Sequence, residues 1–222
     1  MYLENNVIKH YLSNVSFITG TPYAGKSTMC KMLADHYDLY HCQENYNSET
    51  IFKVIDQEHQ PSLSYFESKA SWEAFLTRSP EAYDQWIRAN SDELISFEIA
   101  ELIRVAGPKK VIVDTNIPVS VLKQIADDHQ IAVMLAPIEV SVEKFFDRPD
   151  PEKQFILNEI KKCKEPEKAL KNYRECIRYG TERFYKEFER SGLYTIKRAS
   201  LEDDPRYENL DLLAKHFGLK DL

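Results

Sequence analysis

Short apolar runs alternate along the chain with longer stretches in which apolar residues recur every three or four positions. Five runs read as strands: "NVSFITG" ending at Gly20, "LYHCQE" over 39–44, "KKVIVDTN" carrying Asp114, "IAVMLAP" over 131–137 and "LYTIKR" over 193–198. The stretches between them read as helices. Residues 2–13 form a short leading helix, and "KSTMCKMLADHY" sets Met29, Met32, Leu33 and Tyr37 at helical spacing. Residues 47–106 are expected to be mainly helical, the last helix starting at the Ser/Asp cap of "SDELISFEIAELIRVAG" and stopping at Gly107-Pro108. "SVLKQIADDH" and "SVEKFFD" are further helices, the second interrupted at "RPDP". Helices over 152–163 and 167–190 are separated by Pro166. A closing helix, "DPRYENLDLLAKHFG", has Asp204 as its cap and Pro205 at its first position. Strands that alternate with helices imply an α/β fold with a parallel sheet covered on both faces. No internal repeat or low-complexity linker divides residues 1–222, so one domain is expected.

Composition narrows the class. The chain is 43% hydrophobic and 29% charged, with a formal net charge of −7, which argues against nucleic-acid or anionic-membrane partners. Cys30, Cys42, Cys163 and Cys176 are scattered and read as reduced structural thiols. "MYLENNVIKHYL" has neither a basic start nor a signal-length apolar run, and no segment has the roughly 18 apolar residues of a membrane span. A cytoplasmic protein is the expectation.

"FITGTPYAGKST" carries the chemistry. Gly20-x-x-x-x-Gly25-Lys26-Ser27 has Walker A spacing, between an apolar strand and a helix start, where backbone N–H groups and the helix dipole meet phosphates. Gly20, Thr21, Pro22, Tyr23, Ala24, Gly25, Lys26, Ser27 and Thr28 are the expected nucleotide-binding residues, with Lys26 on the β- and γ-phosphates and Ser27 on Mg²⁺. Asp114 ends an apolar strand about 90 residues later and reads as a Walker B carboxylate on the same ion. Thr115 follows it where motor ATPases place a water-activating Glu, which disfavours hydrolysis as the purpose. There is no Asn-Lys-x-Asp guanine signature.

With these motifs, residues 20–28 and 111–114, the chain resembles the P-loop kinases of small molecules: adenylate-kinase-like nucleoside monophosphate kinases and the shikimate and gluconate kinases. The resemblance implies a three-layer P-loop NTPase fold with a five-stranded parallel sheet in the order 2-3-1-4-5. It also implies a helical acceptor-binding lobe, here about 45–105, and an arginine-bearing lid, here about 147–178. "VDTNIP" lacks the Asp-Gly-x-Pro-Arg run of nucleoside monophosphate kinases and "CQENY" lacks the Asp-x-Asp of shikimate kinases, so the acceptor does not carry over.

Residues 141–190 hold 13 Lys/Arg against 11 Asp/Glu in an otherwise acidic chain, as a phosphate lid would. Arg148, in the "DRPDP" turn, and Arg174 are the expected phosphate contacts, with Arg178 on the same helix face as Arg174. Glu44, at the carboxyl end of the second strand, is placed to orient or deprotonate an acceptor hydroxyl or to be a solvated loop residue. Arg78 and Arg88 are placed either to bind an anionic acceptor or on an ordinary amphipathic helix, and "KRAS" over 197–200 falls where relatives contact adenine. Tyr23 is expected to have ordinary backbone and an outward ring that walls the acceptor pocket, packs beneath the lid or covers nothing. The reading is an ATP- and Mg²⁺-dependent kinase of a small-molecule acceptor. The alternative is a nucleotide-binding regulator with slow NTP hydrolysis and a protein partner.

Overall fold

The computed structural model describes residues 3–43, 48–68, 71–147, 151–199 and 205–220. Strands β1 (Val15–Gly20), β2 (Tyr40–Cys42), β3 (Val111–Asp114), β4 (Ile131–Leu135) and β5 (Tyr194–Lys197) form one sheet in the order β2-β3-β1-β4-β5. Every pairing is parallel, with Ile18 opposite Asp114 on one side of β1 and Gly20 opposite Met134 on the other. β3 and β4 are buried at every position, as unbroken apolar strands covered on two faces should be. All five strands lie where the apolar runs place them.

The helices are α1 (Asn5–Tyr11), α2 (Lys26–Tyr37), α3 (Ser48–Ile51), α4 (Trp72–Leu76), α5 (Pro80–Val105), α6 (Val119–Ile125), α7 (Ile138–Glu143), α8 (Pro151–Lys161), α9 (Pro166–Arg190) and α10 (Arg206–His216). Ile18, Ile112, Ala132 and Met134 turn towards α2 and α10, whose Met29, Leu33, Leu210 and Leu213 complete one core. The alternate residues Phe17, Val111, Val113 and Val133 turn towards Ile8, Leu102, Leu122 and Phe188 of α1, α5, α6 and α9. The chain is therefore an α/β sandwich of three layers. β1 lies between β3 and β4, so connections leave it to both sides, and its carboxyl end marks the crevice where such sheets bind ligands.

Above the sheet lies a third core of aromatics. Phe66 stacks on Trp72 with ring centroids 3.9 Å apart, Trp72 meets Phe155 of α8, and Tyr83 of α5 meets Tyr173 of α9. The segments expected to form an acceptor lobe and a lid thus share one apolar interior.

Several local expectations change. The helix expected to begin at Ser91 begins instead at Pro80, where Ser79 accepts a hydrogen bond from the Ala82 N–H (3.2 Å) and proline occupies the first turn. Ser91 is interior, its hydroxyl turned back to the Ile87 carbonyl at 2.9 Å. Residues 52–64, expected mainly helical, are turns. Asp56 accepts the Glu58 and His59 N–H groups, and Glu93 of α5 accepts those of Ser62 and Leu63. The helix expected over 141–147 spans Ile138–Glu143, and Pro205 caps α10 rather than opening it. Asp204 lies outside the described residues.

Candidate functional site

The site grows from the end of β1. Gly20 has φ +138°, and a Cβ on it would lie 1.8 Å from the Met134 carbonyl oxygen of β4, so only glycine fits. The next residue locks the turn: the Thr21 N–H donates to the same carbonyl at 3.0 Å, and the Thr21 hydroxyl accepts the Ala136 N–H at 2.8 Å. Gly25, at φ +94°, is the N-cap of α2 and supplies no side-chain cap. The first-turn N–H groups of this helix therefore point out of its end with the positive pole of its dipole behind them.

Tyr23 departs from expectation. Its φ is +64°, the left-handed region, in place of ordinary backbone, a conformation that costs a non-glycine residue about 1–2 kcal/mol. Packing and hydrogen bonds hold it there. The ring lies against the α2–α10 core, and its hydroxyl donates to the Lys144 carbonyl just beyond α7. Arg198 donates to the Tyr23 carbonyl at 3.3 Å, and Ser141 of α7 donates to the Pro22 carbonyl at 2.8 Å. The outer rim of the loop is bound to α7 and to the end of β5. The "KRAS" segment thus meets the loop through Arg198.

On the inner side, three expected residues converge. Asp114, 1% exposed at the end of β3, accepts the Ser27 hydroxyl proton at 2.6 Å through Oδ2. Lys26 Nζ lies 3.9 Å from Asp114 Oδ1 and 3.5 Å from the Thr21 carbonyl, with only a tenth of its side chain exposed. A hydroxyl and a carboxylate side by side, both hard oxygen donors, are the pair that could hold a small divalent cation, which keeps most of its shell for water and ligand oxygens. Among the described residues no group of three or more His, Cys, Asp or Glu is placed to hold a metal. Thr28 is exposed one residue further along α2.

The remaining expectations fare differently. Glu44 and Arg148 lie outside the described residues. Arg174 is exposed and lines an open groove between α7 and α9 with Val142, Glu143 and Leu170; among the described residues no contact joins it to Lys26 or Asp114. Arg178 makes a two-pronged ion pair with Glu139 of α7 at 2.7 and 2.8 Å, and this bond holds the Glu139 carboxyl below its usual range. Arg78 stacks over Phe75 and Tyr65, 4.3 and 4.9 Å from their ring centres. Arg88 and Arg183 both donate through Nε to Asp84, a buried α5 carboxylate, at 2.9 Å each.

One carboxylate at the sheet edge escaped the sequence reading. Glu98, on α5, accepts the hydroxyl proton of Thr115 at 3.1 Å, beside Asp114. Its signal was present but split between two distant segments. Strand alternation turns Thr115 to the α5 face, and Glu98 lies one turn before Leu102, which packs on that face.

No helix among the described residues is long and apolar enough to cross a membrane. No protein-family model matches the chain, and no curated protein matches it.

Proposed function

We propose that this chain is an ATP- and Mg²⁺-dependent phosphotransferase that phosphorylates a small-molecule acceptor. The observation that carries the reading is the convergence of Lys26, Ser27 and Asp114 beneath the open N-terminus of α2, at the sheet's switch point. A glycine cradle that a Cβ would fill, followed by uncapped N–H groups, suits a chain of phosphate oxygens. In this reading residues 20–28 wrap a P-loop around ATP. Lys26 neutralises the β- and γ-phosphates, and Ser27 and Asp114 hold magnesium. Magnesium held there would supply positive charge against the negative charge that develops during transfer.

The protein's own share is positioning and charge. Arg148 and Arg174 are the proposed phosphate contacts of the lid, and Glu44 is proposed on the acceptor side. Thr115 after Asp114 supplies no water-activating carboxylate of its own, which favours transfer over hydrolysis.

Calorimetric titration of ATP with magnesium, paired with transfer of γ-labelled phosphate to pooled nucleosides, sugars and aminoglycosides, tests the reading. Lys26→Ala should abolish transfer and weaken ATP binding at least tenfold. A Lys26→Ala protein that binds ATP and transfers phosphate like wild type would overturn it. ADP release that no acceptor stimulates would point instead to a regulator.

A further inference from the structure

Strand β3 ends between two neighbourhoods of opposite role. Its even residues, Ile112 and Asp114, face α2 and the Gly20–Ser27 loop, while Val111, Val113 and Thr115 face α5. Asp114 is thereby spent on Ser27 and Lys26. Thr115, next in the chain and still tied to the sheet by its N–H to the Ile18 carbonyl at 3.0 Å, presents Glu98 on the other side.

The direction of that hydrogen bond is fixed. Thr115 Oγ1 accepts the Ile117 N–H at 3.0 Å and donates its own proton to Glu98 Oε2 at 3.1 Å, since an ionised carboxylate only accepts. Thr115 is 2% exposed, and its hydroxyl cannot turn away without orphaning a buried N–H. A fully determined donor thus anchors one oxygen of a carboxylate that is itself only partly buried. Such an anchor fixes the carboxylate's place at the sheet's edge. A carboxylate on α5 tethered to the residue that follows the proposed magnesium ligand is of the type that serves as a general base.

We infer that Glu98 is the acceptor-side base of the proposed phosphotransferase, and that the acceptor is a neutral or cationic hydroxyl compound, not a phosphate monoester. The inference rests on the phosphotransferase reading and goes one step beyond it. In the step, Glu98 takes the acceptor's hydroxyl proton as that oxygen bonds to the γ-phosphorus of ATP. The bond from that phosphorus to the β–γ bridging oxygen breaks, and its electron pair leaves with ADP. A phosphate monoester is already an oxyanion at neutral pH and needs no base, and its charge would be repelled by Glu98.

The test uses the full chain. Wild type is first assayed for acceptor-stimulated ADP release against nucleosides, sugars, amino sugars and nucleoside monophosphates. Glu98→Gln should then lower kcat on the best hydroxyl acceptor by about 10²–10⁴-fold while the Kd for ATP with magnesium stays within about twofold. Glu98→Asp should recover part of the loss. Thr115→Val should lower kcat by a smaller factor, and Thr115→Ser should restore it. Near-wild-type kcat in Glu98→Gln, or transfer confined to nucleoside monophosphates, overturns the assignment of Glu98 and leaves the phosphotransferase reading intact. No transfer to any acceptor by a wild-type protein that binds ATP overturns both. A Glu98→Gln protein that has lost ATP binding as well marks Glu98 as structural and refutes the inference.

Discussion

Substituting Gly20 by alanine puts the geometry of the loop to a severe test. The added Cβ would meet a backbone carbonyl oxygen at 1.8 Å, whereas ordinary contact begins near 3.4 Å. Met134 must therefore retreat by about 1.6 Å, or Gly20 must leave its φ of +138°. Either movement breaks the register of Gly20 with Met134 and stretches the 3.0 Å bond from the Thr21 N–H. Strain, overpacking and a lost buried hydrogen bond together cost roughly 3–6 kcal/mol. That is a large share of the roughly 5–15 kcal/mol that holds a domain together. At about 2–4 °C per kcal/mol for a chain of this size, Tm should fall on the order of 10–20 °C.

Gly192 provides the control. It also has positive φ, at +73°, but a Cβ there meets nothing within 4 Å. Gly192→Ala should cost only the conformational term, roughly 1 kcal/mol and a few degrees. Thermal unfolding followed by circular dichroism on both variants separates strain from collision. A Gly20→Ala protein that melts within a few degrees of Gly192→Ala would refute the close approach of β1 to the Met134 carbonyl.

Other consequences are open to measurement. Asp84→Ala takes from Arg183, whose side chain is only 21% exposed, its buried partner and leaves it the half-exposed Glu187 at 3.3 Å, and should cost about 2–3 kcal/mol in urea unfolding; a loss below about 1 kcal/mol would mean the pair with Asp84 is not buried in solution. Burial pushes the Cys42 thiol up to about 12 and the Cys176 thiol up to about 11, and raises Cys30 and Cys163, so Ellman's reagent at pH 8 should label the native protein slowly and all four thiols once it is unfolded. The same shifts set a pH trend. Unfolded thiols ionise near pH 9 while the folded ones keep their protons, so the urea midpoint should fall as pH rises from about 9 towards 12, and a flat midpoint there would contradict the burial. Tyr23→Phe removes only the hydroxyl bond to the Lys144 carbonyl and should lower Tm by a few degrees at most, whereas loss of folding would show that the bond carries far more than one hydrogen bond's stability.

The sheet was legible because central parallel strands leave unbroken apolar runs, as in Val111–Asp114 and Ile131–Leu135. The Gly20–Ser27 spacing was legible because its requirements are local: a residue with no Cβ, then a helix start. Helix starts were less so, because a serine that can cap can also back-bond inside a helix: Ser91 does the second, and Ser79 with Pro80 makes the start. Residues 52–64 carry helix-compatible apolar spacing that side-chain bonds from Asp56 and Glu93 override. Pairings between distant segments were harder to read, because each half of the signal lies in a different part of the chain. Arg178 is spent on Glu139, Arg183 on Asp84, and Thr115 meets Glu98 only after the sheet has formed, whereas Arg88 and Asp84 are four residues apart on one helix. The strain at Tyr23 was equally hidden, since it depends on contacts with residues about 120 and 175 positions away.

The two long helices have a mechanical consequence. α5 and α9, at 26 and 25 residues, are each rods of nearly 40 Å, with proline only in the first turn. Both start in the aromatic interior around Tyr83 and Tyr173 and end beneath the sheet, at Leu102 and Phe188. A rod clamped at both ends transmits tilt and cannot absorb it. Any swing of the aromatic end must therefore either lever the far ends against the sheet or be confined to shorter parts such as α4, α7 and α8. The upper half of the molecule behaves as a braced frame, and whatever opens to admit a ligand has to be hung from that frame.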